Sequence, residues 1–126
     1  MTGQENLLES LQLRADQGDP WAQFTLGLCH DNGRGVQQDF VEAARWYRKA
    51  AYQGHAEAQY ILGVMHINGE GVAVDYVLAY MWFSISATNG FEDAAKHRDM
   101  TASYLPPDQL DLAHRLVRDW KPSNER

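Results

Sequence analysis

Residues 26–39 read LGLCHDNGRGVQQD and residues 62–75 read LGVMHINGEGVAVD, so one phrase occurs twice at a spacing of 36 residues. The spacing continues outward from the phrase. Laid over residues 51–86, residues 15–50 match at 16 of 36 positions. Internal repetition at this period is typical of solenoids, in which each helical unit packs only on its neighbours. The sequence therefore predicts an all-α fold, a right-handed α/α solenoid of helix-turn-helix repeats with about seven helices.

The chain is predicted to form a single repeat domain, residues 1–126, whose parts follow the 36-residue period. The third copy of the pattern departs from the first two, because Arg98-Asp99 replaces the Leu-Gly pair. Terminal repeats of a solenoid are commonly altered in this way to act as caps. The predicted parts are an N-terminal capping half-repeat at 1–14, repeat one at 15–50, repeat two at 51–86, a degenerate repeat three with a C-terminal capping helix at 87–120, and a frayed tail at 121–126.

Helix starts are marked by their capping residues. Asp19 followed by Pro20 has the preferred order of an N-cap and the first helical position. Asp39 is predicted to start the next helix, with Glu42 three residues later completing a reciprocal capping box.

The glycines have two predicted roles. Gly27 has no side chain, so a neighbouring backbone is expected to approach it closely. Gly35 and Gly71 lie in the loops between helices, where a left-handed backbone is expected. A β-branched residue at either loop position is therefore expected to strain the backbone.

The helix predicted at residues 75–88 differs from its counterpart in repeat one. Where repeat one has charged side chains, repeat two has Leu78, Met81, Ser84 and Ile85. A helix that is apolar on all sides is buried on all sides. Its cover is predicted to be the C-terminal helix folding back, with a second subunit as the alternative.

Composition and charge limit the kind of partner. The chain has a formal net charge of −6, with 44% hydrophobic and 22% charged residues, and a negative chain opposes a nucleic-acid backbone. Nucleic acid is therefore not expected as a partner. Between Lys49 and Lys96 there is no Lys or Arg, whereas the same span holds Glu57, Glu70, Asp75, Glu92 and Asp93. The middle of the array is predicted to carry negative potential and to favour a partner with basic residues.

The cysteine count and the apolar segments bear on the compartment. Cys29 alone cannot build a disulfide framework, and the first residues lack the basic and apolar regions of a signal peptide. The most apolar window, residues 77–87, is shorter than the roughly 20 residues that a bilayer span needs. We therefore expect no direct membrane insertion and a cytoplasmic protein, with a periplasmic or secreted form as the alternative if a leader has been removed.

With these residues in view, the chain resembles the Sel-one-like repeat (SLR) family, relatives of the tetratricopeptide repeats. The family pattern runs through Ala15, Gly18, Ala22, Leu26, Gly27, Gly33, Gly35, Val36, Asp39, Ala43, Trp46, Tyr47 and Ala50. It returns 36 residues later at each of these positions from Ala51 to Trp82, with Phe83 in the place of Tyr47. The resemblance implies an α/α solenoid that acts as an adaptor or scaffold, and it does not imply catalysis. A disulfide-rich branch of the family, some members of which are linked to penicillin binding, has paired cysteines in each repeat. Cys29 alone places this chain outside that branch.

His30 and His66 are the candidates for metal binding or catalysis. They stand at equivalent positions, where the family usually has Tyr. Metal ligands must converge to about 2.0–2.3 Å from one ion, whereas equivalent residues of adjacent repeats lie about 8–10 Å apart, the spacing of packed helices. We therefore predict that both lie between helices, each donating one hydrogen bond as a neutral imidazole. No catalytic residue, metal site or cofactor is predicted.

The predicted partner-binding surface is the face of each repeat's first helix that points away from the packing. In this architecture the first helices line the concave side. The predicted binding residues are Trp21, Thr25, Leu28 and Asn32 of repeat one, Glu57, Ile61, Val64 and Asn68 of repeat two, and Asp93 and His97 of repeat three. The two Asn amides could bond an extended peptide backbone, although an Asn before a Gly also commonly ends a helix. The stripe as a whole also fits plain structural filling.

Together these observations predict a non-enzymatic protein-protein interaction module, an adaptor or scaffold that binds a partner peptide or protein surface on its concave face. It is expected to be a monomer or a weak homodimer. One alternative is a structural subunit that acts through homodimerisation. The other, less favoured, is a hydrolase of the penicillin-binding type that uses the histidines.

Overall fold

The computed structural model describes residues 3–123, with side chains from residue 7, and that range contains seven α-helices and no strand. The helices are α1 (Gly3–Asp16), α2 (Pro20–Asn32), α3 (Phe40–Tyr52), α4 (Ala56–Asn68), α5 (Tyr76–Thr88), α6 (Asp93–Ala102) and α7 (Pro107–Asp119). Helices α2 and α3 form repeat one, and α4 and α5 form repeat two. No helix within residues 3–123 combines the length and the apolar content that a bilayer span requires. The predicted all-α class and helix number are confirmed.

The helix starts follow the predicted caps with one correction. The carboxylate of Asp19 accepts a backbone N–H from its own first turn at 2.9 Å. The carboxylate of Asp39 accepts the N–H of Glu42 at 3.1 Å. The predicted reciprocal bond from Glu42 is wrong, because the N–H of Asp39 donates to the His30 carbonyl at 2.8 Å instead. Glu42 is left to form an ion pair with Arg45.

Two glycines of the repeated phrase, Gly27 and Gly63, are each packed against an aromatic ring. A Cβ atom added to Gly27 would lie 2.5 Å from ring atoms of Tyr47, and one added to Gly63 would lie 2.5 Å from ring atoms of Phe83. The expectation of a close backbone at Gly27 is therefore wrong, since a side chain fills the space. The Tyr47 hydroxyl donates to Asp31 at 2.9 Å. Burial, together with the Asp31 charge, raises the pKa of Tyr47 above its ordinary value, so the hydroxyl remains a neutral donor.

The apolar outer face of α5 is covered by α7, as the fold-back prediction requires. Helix α7 packs mainly on α5 rather than on its sequence neighbour α6. Met81 and Ile85 are buried, and Leu116 and Trp120 pack against the cluster to which they belong. This face of α5 is therefore closed within one chain, and no second subunit is needed to cover it.

The segment after α7 is more ordered than predicted. The N–H of Ser123 donates to the carbonyl of Tyr52, the last residue of α3, at 2.6 Å. The prediction of a frayed tail at 121–126 is wrong as far as residue 123, because this bond and the packing of Trp120 hold the chain on the repeats. Residues 124–126 lie outside the part of the chain that the structure describes.

Candidate partner-binding surface

Helices α2, α4 and α6 contact one another in sequence through aromatic rings. The rings of Phe24 in α2 and His55 at the start of α4 stack with centroids 4.3 Å apart. The Tyr60 hydroxyl of α4 lies 3.1 Å from Nε2 of His97 in α6. The ten predicted residues therefore lie on three neighbouring helices, and we call their combined surface the first-helix stripe.

One edge of the first-helix stripe is acidic and carries an exposed indole. Trp21 is 59% exposed, and its ring lies 6.1 Å from the buried ring of Phe24, centroid to centroid. Glu57 and Asp93 occupy the equivalent positions one and two repeats later, and both are exposed. Neither carboxylate forms a salt bridge with any residue between 7 and 123. An incoming cation would therefore find two unpaired carboxylates and an aromatic ring.

The floor of the stripe is half-buried and largely apolar. Thr25, Leu28, Ile61 and Val64 are all of intermediate exposure. The Thr25 hydroxyl donates to the Trp21 carbonyl at 2.8 Å, so its donor is used inside α2. Leu28 and Ile61 also pack on the main core cluster. The floor is therefore part of the fold and at the same time a surface that a partner can reach.

The other edge carries the two asparagines. Asn32 and Asn68 end α2 and α4, and each is followed by a glycine in the left-handed conformation, Gly33 with φ 67° and Gly69 with φ 69°. Both Asn side chains are exposed. Neither amide bonds to another described residue, so their donors and acceptors face solvent. The glycines, not the asparagines, provide the left-handed turn that ends each helix.

His97 is engaged within the fold. Its Nδ1 lies 3.0 Å from the Asp93 carbonyl. A carbonyl only accepts, so the ring proton is on Nδ1 and Nε2 accepts the Tyr60 hydroxyl. Burial, with the charge of Asp93, raises the pKa of Tyr60, which keeps that hydroxyl protonated. His97 acts here as a joint between α4 and α6 as well as a half-buried part of the surface.

The sequence analysis missed three aromatic residues that hold the stripe together. They are Phe24, Tyr60 and His55. The first two stand 36 residues apart, so an aromatic position kept in both repeats was a signal available in the sequence. His55 gave no such signal, because repeat one has Asp19 at the equivalent position.

His55 caps α4 with its imidazole. Its Nδ1 accepts the N–H of Ala58 at 3.1 Å, so the neutral ring carries its proton on Nε2. Trp21 lies against the same ring, with centroids 6.3 Å apart. Burial lowers the pKa of His55, against an opposing effect of the nearby Glu57 carboxylate. The neutral form is therefore the one that caps the helix and supports Trp21.

The lowered pKa makes part of the stability pH-dependent. Between the folded pKa and the unfolded value of about 6.5, the unfolded chain binds more protons, so acidification in this range lowers the free energy of unfolding. We expect His55→Asn, which keeps a capping acceptor, to lose less stability than the parent between pH 7.5 and pH 5. Urea unfolding across this pH range measures the difference. Parallel curves for the two proteins would contradict the role given to His55.

His30 and His66 lie within the repeats, as predicted, but only one of them has the expected bond. His66 is buried, and its Nδ1 donates to the Ala73 carbonyl at 3.0 Å. His30 is half-buried, and its Nδ1 is buried without a partner among the described residues. The equivalent loop residue is Gln37, whose carbonyl does not accept from His30. No group of three or more metal-ligating side chains is present in the described part of the chain.

Comparison with known proteins identifies the repeat. The Sel1 repeat model matches residues 22–55 and 56–91, which is more than half of the chain. DAP3-binding cell death enhancer 1 of Rattus norvegicus is 47% identical over 39 residues, which are 31% of this chain and 8% of that protein. Its Mus musculus counterpart is 47% identical over 48 residues, 38% of this chain and 9% of that protein. The chain thus spans less than a tenth of these curated relatives.

Solved structures with similar folds confirm the solenoid. The protein c5321, a protective antigen of uropathogenic Escherichia coli strains with an SLR fold, superposes with a TM-score of 0.86 and 38% identity. The superposition covers 90% of this chain and 24% of c5321. Helicobacter pylori cysteine rich protein B gives a TM-score of 0.72 at 26% identity, over 75% of this chain and 71% of that one. The α/α solenoid and the family resemblance are both confirmed.

Proposed function

Because this chain belongs to the Sel1 repeat family, we propose that it is a non-enzymatic interaction module whose first-helix stripe binds a partner segment carrying basic residues. Sel1 repeats generally mediate protein-protein interaction. The observation that supports the stripe is the exposed Trp21 on the same edge as Glu57 and Asp93, two carboxylates without a described ion pair. One relative, DAP3-binding cell death enhancer 1, has a name that records binding to another protein.

Each part of the first-helix stripe is assigned a different kind of contact with the partner. Glu57 and Asp93 attract a basic segment and set its association rate and salt dependence. Trp21 covers an arginine or lysine side chain, and Leu28 and Val64 take apolar side chains into the floor, where buried anchors dominate the binding energy. The exposed Asn amides bond the backbone of an extended segment.

Catalysis is not supported by the arrangement of the candidate groups. Sel1-repeat proteins are in general interaction modules rather than enzymes. His66 uses Nδ1 to hold the loop at Ala73, and His97 uses both ring nitrogens in bonds to Asp93 and Tyr60. His66 and His97 therefore contribute to packing, and the buried Nδ1 of His30 has no hydrogen-bond partner among the described residues that could act with it. The penicillin-binding hydrolase is not proposed.

A displayed peptide library supplies a partner for the test. Selection on the immobilised protein is expected to enrich peptides in which Lys or Arg alternates with apolar residues. Trp21→Ser should weaken a selected peptide by about tenfold, as the loss of an aromatic anchor does. The double variant Glu57→Lys/Asp93→Lys should slow association and flatten its dependence on salt.

The matched control reverses two acids elsewhere. Glu9→Lys/Asp111→Lys gives the same change in net charge, on the exposed surfaces of α1 and α7, and should bind like the parent. Circular dichroism and thermal melts confirm that every variant folds. If the control double weakens the peptide as much as the stripe double, only net charge matters and the stripe is not the site.

A further inference from the structure

A second surface, which carries the cationic side chains of Arg45 and Lys49, lies on the other helix of repeat one. A polar cavity of about 250 Å³ lies among α1, α2 and α3, and its lining includes Gln12, Asp16, Gly18, Arg45, Trp46 and Lys49. We call this cavity groove one. It shares no residue with the first-helix stripe, and the proposed function does not use it.

An equivalent groove lies 36 residues later, and the C-terminal segment that includes Trp120 and Ser123 packs on it. The counterparts of the lining residues are Arg48, Tyr52, Gly54, Met81, Trp82 and Ile85, and we call this surface groove two. The ring of Trp120 meets that of Trp82 edge-on, with centroids 6.2 Å apart. The N–H of Ser123 donates to the Tyr52 carbonyl at 2.6 Å. An extended segment with one aromatic side chain thus already docks on this kind of surface.

Groove one offers the same two elements without that cover. The Asp16 carbonyl, at the end of α1, is the counterpart of the Tyr52 carbonyl. It accepts no backbone N–H from the described residues. Trp46 is the counterpart of Trp82, but cationic side chains lie over its ring instead of another indole. The Arg45 guanidinium lies 4.8 Å and the Lys49 ammonium 5.7 Å from the ring centroid.

The charge of groove one determines which segment it fits. Arg45 and Lys49 stand where groove two has the buried side chains of Met81 and Ile85. Arg45 forms an ion pair with Glu42. Lys49 is half-buried and forms no ion pair within the described part of the chain. The groove therefore holds one cation without an ion pair, Lys49, next to a free backbone acceptor, while the Asp16 carboxylate on the same lining acts on Arg45.

We propose that groove one is a second docking site, and that it takes an extended acidic segment of a partner protein. A carboxylate of that segment pairs with Lys49, and one of its backbone N–H groups donates to the Asp16 carbonyl, as Ser123 does to Tyr52. A singly charged carboxylate matches the single free ammonium. A phosphate dianion would lie against Asp16 with only one unpaired cation to balance it.

The four indole N–H signals of the 15N-labelled protein report which surface is occupied. We would titrate the chain with the unlabelled peptide Gly-Glu-Trp-Glu-Gly-Ser and with its Gln-for-Glu analogue. The Glu peptide should shift the Trp46 signal saturably, with a dissociation constant at or below about 1 mM, and the Gln peptide should not. Arg45→Gln/Lys49→Gln should weaken binding about tenfold, the effect of losing a charge-assisted hydrogen bond.

The control is Arg48→Gln/Arg118→Gln, which removes two charges outside groove one and should bind like the parent. Equal weakening in both double variants would overturn the proposal in favour of net charge. So would the absence of a Trp46 shift, or a shift confined to Trp82 and Trp120. Inorganic phosphate that competes better than acetate would overturn the carboxylate assignment. Sedimentation that shows self-association lost in Arg45→Gln/Lys49→Gln would replace the partner with a second copy.

The two binding surfaces are tested separately. Glu57→Lys/Asp93→Lys should leave the Trp46 shift with the Glu peptide unchanged, since neither residue lines groove one. Failure of the first-helix stripe would therefore not remove groove one, and failure of groove one would not remove the stripe.

Discussion

Deleting residues 107–126 should convert the protein into a species that aggregates or dimerises, with a large loss of stability. Tyr80, Met81 and Ile85 are 9%, 7% and 5% exposed in the intact chain, and α7 with Trp120 covers them. Burying one such side chain contributes about 1.5–3 kcal/mol, so three together approach the roughly 5–15 kcal/mol that holds a small domain folded. The uncovered apolar face would also associate with other copies.

Sedimentation and calorimetry on the shortened chain measure both effects. The control lacks only residues 124–126, so every described contact of α7, Trp120 and Ser123 is kept, and it should melt like the parent. A chain shortened at residue 106 that stays monomeric with an unchanged melt would show that α7 does not close the array.

Gly71→Ala should lower the free energy of unfolding by about 2 kcal/mol or more. Gly71 has φ 74°, in the region that L-residues resist. A Cβ atom there would lie 2.2 Å from the carbonyl oxygen of Phe40, the first residue of α3. The Phe40 carbonyl belongs to the backbone of α3 and cannot change rotamer as a side chain can. The loop at Gly71 would therefore have to move away from α3.

Gly54→Ala is the matched control. Gly54 also has a positive φ, of 99°, but a Cβ atom there meets nothing within 4 Å. Its cost is therefore limited to backbone strain, about 1–2 kcal/mol. Chemical denaturation of the two variants separates strain from collision. Equal losses would mean that the contact with Phe40 contributes nothing.

The fold was predictable because its strongest signals are local and repeated. Asp19-Pro20 and Asp39 each mark a helix start by their own chemistry, and Gly35 and Gly71 have the positive φ angles expected of them. What the sequence could not provide was the long-range pairing that decides detail. The bond from the Asp39 N–H to the His30 carbonyl, which displaced the capping box, is one example.

The exposure of the candidate site was predictable from the sequence, and its contacts were less so. Helical spacing places Trp21, Glu57 and Asp93 on equivalent outward positions, and the structure leaves all three exposed. Helical spacing could not show that His97 bonds to Tyr60, because that contact depends on how α4 and α6 pack. Groove one was missed for the same reason. Its role as a docking site is recognised only by comparison with groove two, where Trp120 packs on Trp82.

The indole N–H spectrum of the 15N-labelled protein, recorded during titration with a library-selected basic peptide, tests the first-helix stripe most directly. Trp21 lies in the stripe, whereas Trp46, Trp82 and Trp120 lie in or over the two grooves. The expected result is a saturable shift of the Trp21 signal alone, weakened in Glu57→Lys/Asp93→Lys and kept in Glu9→Lys/Asp111→Lys. A Trp21 signal that stays still while Trp46 or Trp82 moves would contradict the stripe as the binding surface.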